Sequence, residues 1–431
     1  MARRFLVSTT HHLLAIEPES ENLWRIHSGA GLYFGLANGA DGLVYAACRH
    51  AILGPDNDQV RASEDGSILV LDHDLQVCQE LRAPFRLRDI HGIACFDGRL
   101  WVTCSYDNLI GIYDLTRRDW NRWYPAPNPS HRDRDIHHFN TIRFLGGQLC
   151  LLAHNFGSSE LLFYDYPSLQ LDSVVPFGVM SHDLFIFDDT IATSSSGDGW
   201  IVNKRGQRLR TGNFPRGVET TPEGNLLGMS MHSPRDERQR QNGILRWYSA
   251  DWQFKADYVL PEVGMVLDVL DIGDQDRRLD SMEPWPHAEV TRGSYNRLAP
   301  GNVYTPNSFA SNIGSGGLEW HTSEETHRWT AAREAGLSIL MNPGEKRLWV
   351  EVSSANPHGY FVEVRLDQQY LGTVSFSAPG VQRHEFRISP ESIGPGSLKF
   401  RVPYLWKPSD LIPGSTDDRF VGVAVLMVGI C

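Results

Sequence analysis

The sequence predicts an all-β protein: a six-bladed β-propeller followed by a β-sandwich of the jelly-roll kind. Three observations carry this. Short runs such as LFIF, LWVT and LLFY have the composition and alternation of strands, with Gly, Asp and Asn supplying the turns between them. A unit of strand, turn and further strands recurs through residues 1–275. Setting Leu100, Leu149, Ile191 and Leu226 as equivalent gives steps of roughly 35 to 50 residues, the length of a four-stranded blade. After residue 316 that spacing stops, and short strands continue without it.

Taken in order, the blades begin near Tyr33, His91, Asn140, His182 and Gly217. HGIACFDGRLWVTCSYDNLIGIYDL from His91 and NTIRFLGGQLCLLAHNFGSSELLFYDY from Asn140 show the unit most plainly. The strand GMVLDVLDIG from Gly264 has no partners downstream, whereas RFLVSTT, HHLLAIEP and LWRIHSG wait unpaired at the N-terminus. Pairing them closes a sixth blade and protects two sheet edges. Residues 276–316, rich in Pro, Gly, Asn and Ser, read as a linker or packed loop. Residues 317–431 hold KRLWVEVSSA, YFVEVRLD, YLGTVSF, HEFRIS, SLKFRVPY and FVGVAVLMVGI, the strands of a β-sandwich of the jelly-roll kind.

Charge narrows the function classes. A net charge of −12 and a pI of 5.8 argue against nucleic acid, whose phosphates require a basic surface, and against a polybasic membrane-surface protein. No run approaches the roughly 18 apolar residues of a spanning helix, and the N-terminus lacks the apolar stretch of a leader, so no membrane insertion is expected. Six cysteines do not make a disulfide framework; Cys48, Cys95, Cys104 and Cys150 sit in apolar runs as small hydrophobes. A reduced, cytoplasmic setting is the expectation. GxxxxGK[ST], GxGxxG after a strand, HExxH, CxxC and GxSxG do not occur, so no nucleotide cofactor is expected.

The chemistry gathers at one rim. In a propeller, inner strands start and second strands end on the same face of the disc. The repeat places His91, Asn140 and His182 at equivalent inner-strand starts, with His137 and His138 just before Asn140, and Arg216 and Glu219 around Gly217. Second strands end at Arg49 and His50, Ser105 and Tyr106, His154 and Asn155, and Met231 and His232; the chain's first strand ends at His11 and His12. Most of the 17 histidines thus fall on one face.

Three readings of this rim stand side by side. In the first, His91, His138 and His182 bind a divalent transition metal, with Zn, Mn, Fe or Cu suited to nitrogen ligands and Glu219 or Asn140 completing the shell. Such an ion would acidify a water or polarise a carboxylate. In the second, no metal is needed: His182 is a base, Arg216 clamps an anion and Glu219 assists. Asn140, His154, His232, Arg49 and Tyr106 contact the substrate in both. In the third, the histidines line a wet channel and hydrogen-bond the carbonyls of neighbouring blades.

Other features carry less. The carboxylates of 54–67 lack the spacing of a Ca loop, so a solvated loop is expected there. The mixed charges of 233–243 read as a solvated loop or a lid. Trp320, Trp329 and Trp406 have the flat apolar faces on which sugar rings stack, although tryptophans of a sandwich more often build its core.

The segments GLEWHTSEETHRWT, VRLDQQYLGTVSF and VPYLWKPSDLIPGSTDDRFVGVAV resemble a jelly-roll module attached to bacterial surface-polysaccharide glycosyltransferases. The resemblance covers the last quarter of the chain and implies a surface-glycan context, with polysaccharide-assembly proteins as partners. The propeller resembles six-bladed lactonases and lyases in architecture only. Two functions follow as expectations. One is a metal-assisted lyase or epimerase acting on anionic sugars. The other is a non-catalytic glycan- or protein-binding scaffold of polysaccharide assembly.

Overall fold

The computed structural model describes residues 3–29, 31–50, 63–126, 128–230, 238–273, 279, 282–285, 289–292, 296–298, 303–304, 320–321, 324, 326–341, 347–367, 369–388 and 394–430. Two compact units form: Met1–Gln207 with Asn213–Thr291, and Arg208–Gly212 with Arg292–Cys431.

Six antiparallel sheets build the propeller. The inner strands of the first five are Leu32–Asn38, Ile90–Phe96, Phe139–Leu145, Ser181–Phe187 and Phe214–Thr220, each followed by three more strands in meander order. The sixth inner strand, Val266–Gly273, pairs antiparallel with Arg4–Thr9, and His12–Glu17 and Asn22–Ser28 complete that sheet. The chain's first strands therefore close the ring with its last propeller strand. Around the channel each inner strand neighbours the next, and the sixth returns to the first. The core lies between blades: Ala47, Ile68 and Val70 of the first meet Ile93, Leu100 and Val102 of the second.

Two sheets form the sandwich. One runs Asn296–Leu298, Glu334–Met341, Gly394–Arg401, Tyr360–Leu366 and Gln369–Phe376; the other runs Val303–Tyr304, Ala424–Ile430, Arg347–Ser354 and Gly380–Arg387. Alternate residues Leu348, Val350 and Val352 face Val362, Val364 and Leu366 in one core, as period-two strands require. The segment 276–316, expected as a linker or packed loop, contributes short strands to four sheets: Glu283–Pro284 on the sixth blade, Glu289–Arg292 on the fifth, and Asn296–Leu298 and Val303–Tyr304 in the sandwich. Strands of two to four residues carry too little periodicity to read from sequence. Among the described residues, no helix is long and apolar enough to cross a membrane.

Candidate functional site

Every inner strand breaks register near its start. The pairing shifts between Tyr33 and Leu36, Ile90 and Ile93, Phe139 and Thr141, His182 and Phe185, Pro215 and Val218, and between Thr9 and Ser8 opposite Val266 and Asp268. A bulge frees a side chain from the ladder and re-aims it. Here the re-aimed residues are Phe34, His91, Asn140, Arg216 and Leu267, with His182 at the corresponding place, paired just before its bulge; all six, one per blade, line one cavity at the channel. Close approach of the inner strands makes this possible: a Cβ on Gly92 would stand 2.6 Å from the Asn140 carbonyl oxygen, and one on Gly217 2.5 Å from Asp268 Cα. The space in it that the centre of a water-sized sphere can reach is small, about 30 Å³.

At or one residue past the end of each second strand stands a further set: Arg49 and Ser230, the last residues of their strands, and Ser105, His154, Ser196 and Thr10, one residue beyond. These side chains orient the first set. Ser105 Oγ donates to the Phe139 carbonyl at 2.7 Å, so its lone pair faces His91 Nδ1 at 3.1 Å. Ser196 Oγ likewise donates to the Pro215 carbonyl, and its lone pair faces His182 Nδ1 at 2.8 Å. His91 Nδ1 also meets the Asp89 carbonyl at 2.9 Å. Acceptors at Nδ1 require the proton there, which leaves Nε2 of both imidazoles bare.

A row of imidazoles runs along the rim. Ring centroids are separated by 4.6 Å from His91 to His138, 5.0 Å from His138 to His154 and 5.1 Å from His154 to His182. Burial pushes His91 and His182 well below the usual imidazole range. Burial, aided by repulsion from His138 and Arg216, pushes His154 down to about 2. His91, His154 and His182 are neutral at ordinary pH.

Asp89, His91 and His138 bring one possible ligand atom each to within 4.8 Å of one another. Two imidazoles and a carboxylate form a facial set that suits a divalent transition ion with open positions. A tetrahedral ion at about 2.1 Å would draw such atoms to about 3.4 Å apart, a closure of an ångström or so. His138 is oriented by Asp135, whose carboxylate oxygens lie 2.9 and 3.0 Å from Nδ1. Such carboxylate–imidazole pairs are the usual outer support of a ligating histidine. The expected set of His91, His138 and His182 is thus corrected: His154 stands between His138 and His182, and Asp89 takes the third place. The cavity takes in His91, while Asp89 and His138 lie outside its lining. Asp89 also pairs with Arg49, which is bidentate to Glu64 and lies over Phe34.

Arg216 differs from Arg49. Buried at 7% exposure, it has no ion-pair or hydrogen-bond partner among the described residues, and its Nε is sealed from solvent. Burial, with Arg238 and Arg49 adding repulsion, lowers it to about 9. Asn140 Nδ2 donates to the Ser181 carbonyl at 2.8 Å, leaving Oδ1 buried without a partner.

Several expected residues lie elsewhere. Glu219 belongs to the inner strand of Arg216 but not to the cavity lining; its charge interacts with Arg143, Asp183 and Asp271, and burial raises it to about 7. Tyr106 packs beneath the Arg88 guanidinium, 4.8 Å from its ring centre, rather than facing a substrate. His232 lies outside the described residues. Trp320 and Trp406 are core residues whose Nε1 atoms donate to the Gly336 and Gly422 carbonyls, and Trp329 packs against the same core. The first two are closed to a sugar ring. Sequence reasoning missed Asp89 and Asp135. Asp89 lies two residues before His91, as His138 lies two before Asn140, and both take left-handed φ values of 54° and 49°. That shared offset was the available signal.

Fold and site together define a six-bladed propeller with a polar, partly cationic pocket at its channel. No protein-family model and no curated protein matches the chain. Among solved structures, a protein of unknown function from Bacteroides caccae is 13% identical with a TM-score of 0.46, covering 63% of this chain and 99% of that one. A chain of a nidogen/laminin complex is 13% identical with a TM-score of 0.43, covering 62% and 97%. The hydrazine synthase of Kuenenia stuttgartiensis is 12% identical with a TM-score of 0.38, covering 65% and 89%. None of these likenesses bears on activity.

Proposed function

We propose that the propeller binds a small anionic sugar in the channel pocket and moves a proton beside its carboxylate, assisted by a divalent transition metal on Asp89, His91 and His138. The observation that carries this reading is Arg216, a buried guanidinium that lies over the Phe214 ring and has no counter-ion within salt-bridge distance among the described residues, in the same cavity as lone-pair acceptors. An uncompensated buried charge is costly and is kept where a ligand neutralises it. A carboxylate fits the guanidinium in bidentate fashion. Next to it in the ring, His182 Nε2 and Asn140 Oδ1 present acceptors on consecutive blades, to which sugar hydroxyls can donate, while His91 Nε2 is the lone pair that would hold the metal.

In the reaction, His182 Nε2 exchanges its hydroxyl contact for the carbon next to the carboxylate and takes that carbon's proton. The electron pair moves onto the carboxylate, where Arg216 balances the added charge. Delivery of a proton from water to the other face, with His182 giving its own proton back to water, epimerises that carbon; transfer of the His182 proton to the departing β-oxygen instead resets the base and gives an unsaturated product. A metal on the trio would polarise the same carboxylate. The resemblance of the last quarter of the chain to modules of surface-polysaccharide glycosyltransferases supports a surface-polysaccharide source for this sugar, with assembly proteins as partners.

D-glucuronate is the probe. Calorimetric binding should weaken by about 10- to 100-fold in Arg216→Met, the loss of a charged hydrogen-bonded contact. The same variant should melt higher, because a buried unpaired charge is gone. Unchanged affinity would sink the reading. Loss of bound metal in His138→Ala tests the trio, and deuterium exchange at the carbon beside the carboxylate tests the chemistry. Binding without exchange would assign the pocket to recognition alone, the scaffold role.

A further inference from the structure

We infer that Ser196 is a positioning residue that fixes His182 as a bare Nε2 acceptor, while the backbone of Phe156 fixes neighbouring His154 as an Nε2–H donor. His182, a lining residue of the cavity, then offers it an unprotonated Nε2, while His154 lies outside the lining. This deepens the proposed anionic-sugar site and rests on it for the ligand alone.

The argument is an accounting of protons. Ser196 has one hydroxyl proton, and the Pro215 carbonyl of the next blade takes it, with the Ser194 carbonyl at 3.2 Å as the other acceptor in reach. Toward His182 the serine can only accept, so His182 Nδ1 must donate across 2.8 Å. His154 is held the opposite way. The Phe156 N–H donates to His154 Nδ1 at 3.1 Å, so the single proton of this neutral ring sits on Nε2. Both side chains are nine-tenths buried, at 7% and 4% exposure, and the rings lie edge to face with centroids 5.1 Å apart.

The device recurs with variations that show which parts matter. His91 and Ser105 repeat the fourteen-residue spacing of His182 and Ser196, and Ser105 gives its proton to the next blade in the same manner. His91, however, has a second acceptor in the Asp89 carbonyl at 2.9 Å, so its tautomer does not depend on the serine. In the fifth blade Ser230 bonds the Val266 backbone, although Arg216 replaces the histidine. In the sixth blade Thr10 holds the corresponding place and accepts the Met265 N–H at 2.9 Å. The fold therefore accommodates threonine there.

A ligand hydroxyl at His182 donates to its bare Nε2. An apolar substituent at that point leaves the nitrogen unpaired, so the site discriminates against ligands that lack the hydroxyl.

The test uses the full chain labelled with ¹⁵N-histidine, with ring signals assigned through His182→Gln and His154→Gln. Native protein should show His182 protonated at Nδ1 and His154 at Nε2. Ser196→Ala should convert His182 to a mixture of tautomers, Ser196→Thr should restore the native form, and Ser105→Ala should leave His91 unchanged. In calorimetry, native protein should prefer D-glucuronate to hexanoate, and Ser196→Ala should lower D-glucuronate affinity about 5- to 10-fold while hexanoate binding stays level. Native tautomers and a Ser196→Ala shift without D-glucuronate binding would uphold the positioning role and defeat the anionic-sugar reading. A His182 signal protonated at Nε2, or one unmoved by Ser196→Ala, overturns the inference whatever the ligand does.

Discussion

Glu219 shows how position along one strand separates a ligand-facing residue from a buried acid. Arg216, three residues earlier, lines the cavity; Glu219 faces Arg143, and burial raises its carboxyl to about 7 from a usual 4.5. The fold therefore holds its proton between those values while the unfolded chain releases it. Stability falls as pH rises through that window and levels off above it. Glu219→Gln removes the penalty. Its advantage over native protein should be near zero at pH 4 and reach about 1–3 kcal/mol at pH 8, read from urea unfolding at both pH values. An advantage that shrinks with rising pH would contradict the placement. At this scale the sequence was partly legible. His91, Asn140 and His182 emerged because the repeat puts them at one position, and spacing along the chain records that directly. Asp89 did not emerge, because its partner His138 enters from the next blade through a left-handed loop residue, which no period reports.

The bulged inner strand is the element that turns a sheet into a site. Its side chains reach the cavity because glycines at 35, 92 and 217 let adjoining backbones touch. At Gly92 the obstacle to a Cβ is a carbonyl oxygen at 2.6 Å, which cannot swing aside as a side chain would. Gly92→Ala should therefore cost about 2–4 kcal/mol in chemical denaturation. Gly98, with φ of 67° and no atom within 4 Å of its would-be Cβ, meets only backbone strain, so Gly98→Ala should cost about 1 kcal/mol. Equal costs for the two variants would remove the packing argument. Strands themselves were readable from alternation and turn residues. Bulges were not, since a pairing shift belongs to two strands at once. The tryptophans misled for a related reason: residue type gives a flat ring, whereas burial depends on which face the strand turns inward.

At the scale of the whole molecule, closure depends on the chain's two propeller ends. Arg4–Thr9 covers the edge of Val266–Gly273, and the other N-terminal strands complete that blade. Deleting residues 1–28 removes three strands of the sheet and leaves one inner strand with a bare edge. The truncated chain should lose the native cooperative transition in calorimetry rather than shift it by a degree or two; an intact transition would refute closure by these strands. This level of organisation was the most legible, because a lone apolar strand and unpaired strands far upstream can be matched by counting. The segment 276–316 was the least, since Pro, Gly and Asn describe a path without saying which sheets it will touch.

The six cavity positions can also be read as a word, Phe34-His91-Asn140-His182-Arg216-Leu267, written in a circle. Reflect it in the line through Asn140 and Leu267, and the two histidines exchange places unnoticed. Phe34 and Arg216 also exchange, and only there does the mirror image differ. The handedness of the circle thus hangs on one unlike pair, a greasy ring on one flank and a positive fork on the other. A guest with one charged end and one apolar end therefore meets the ring in a preferred direction.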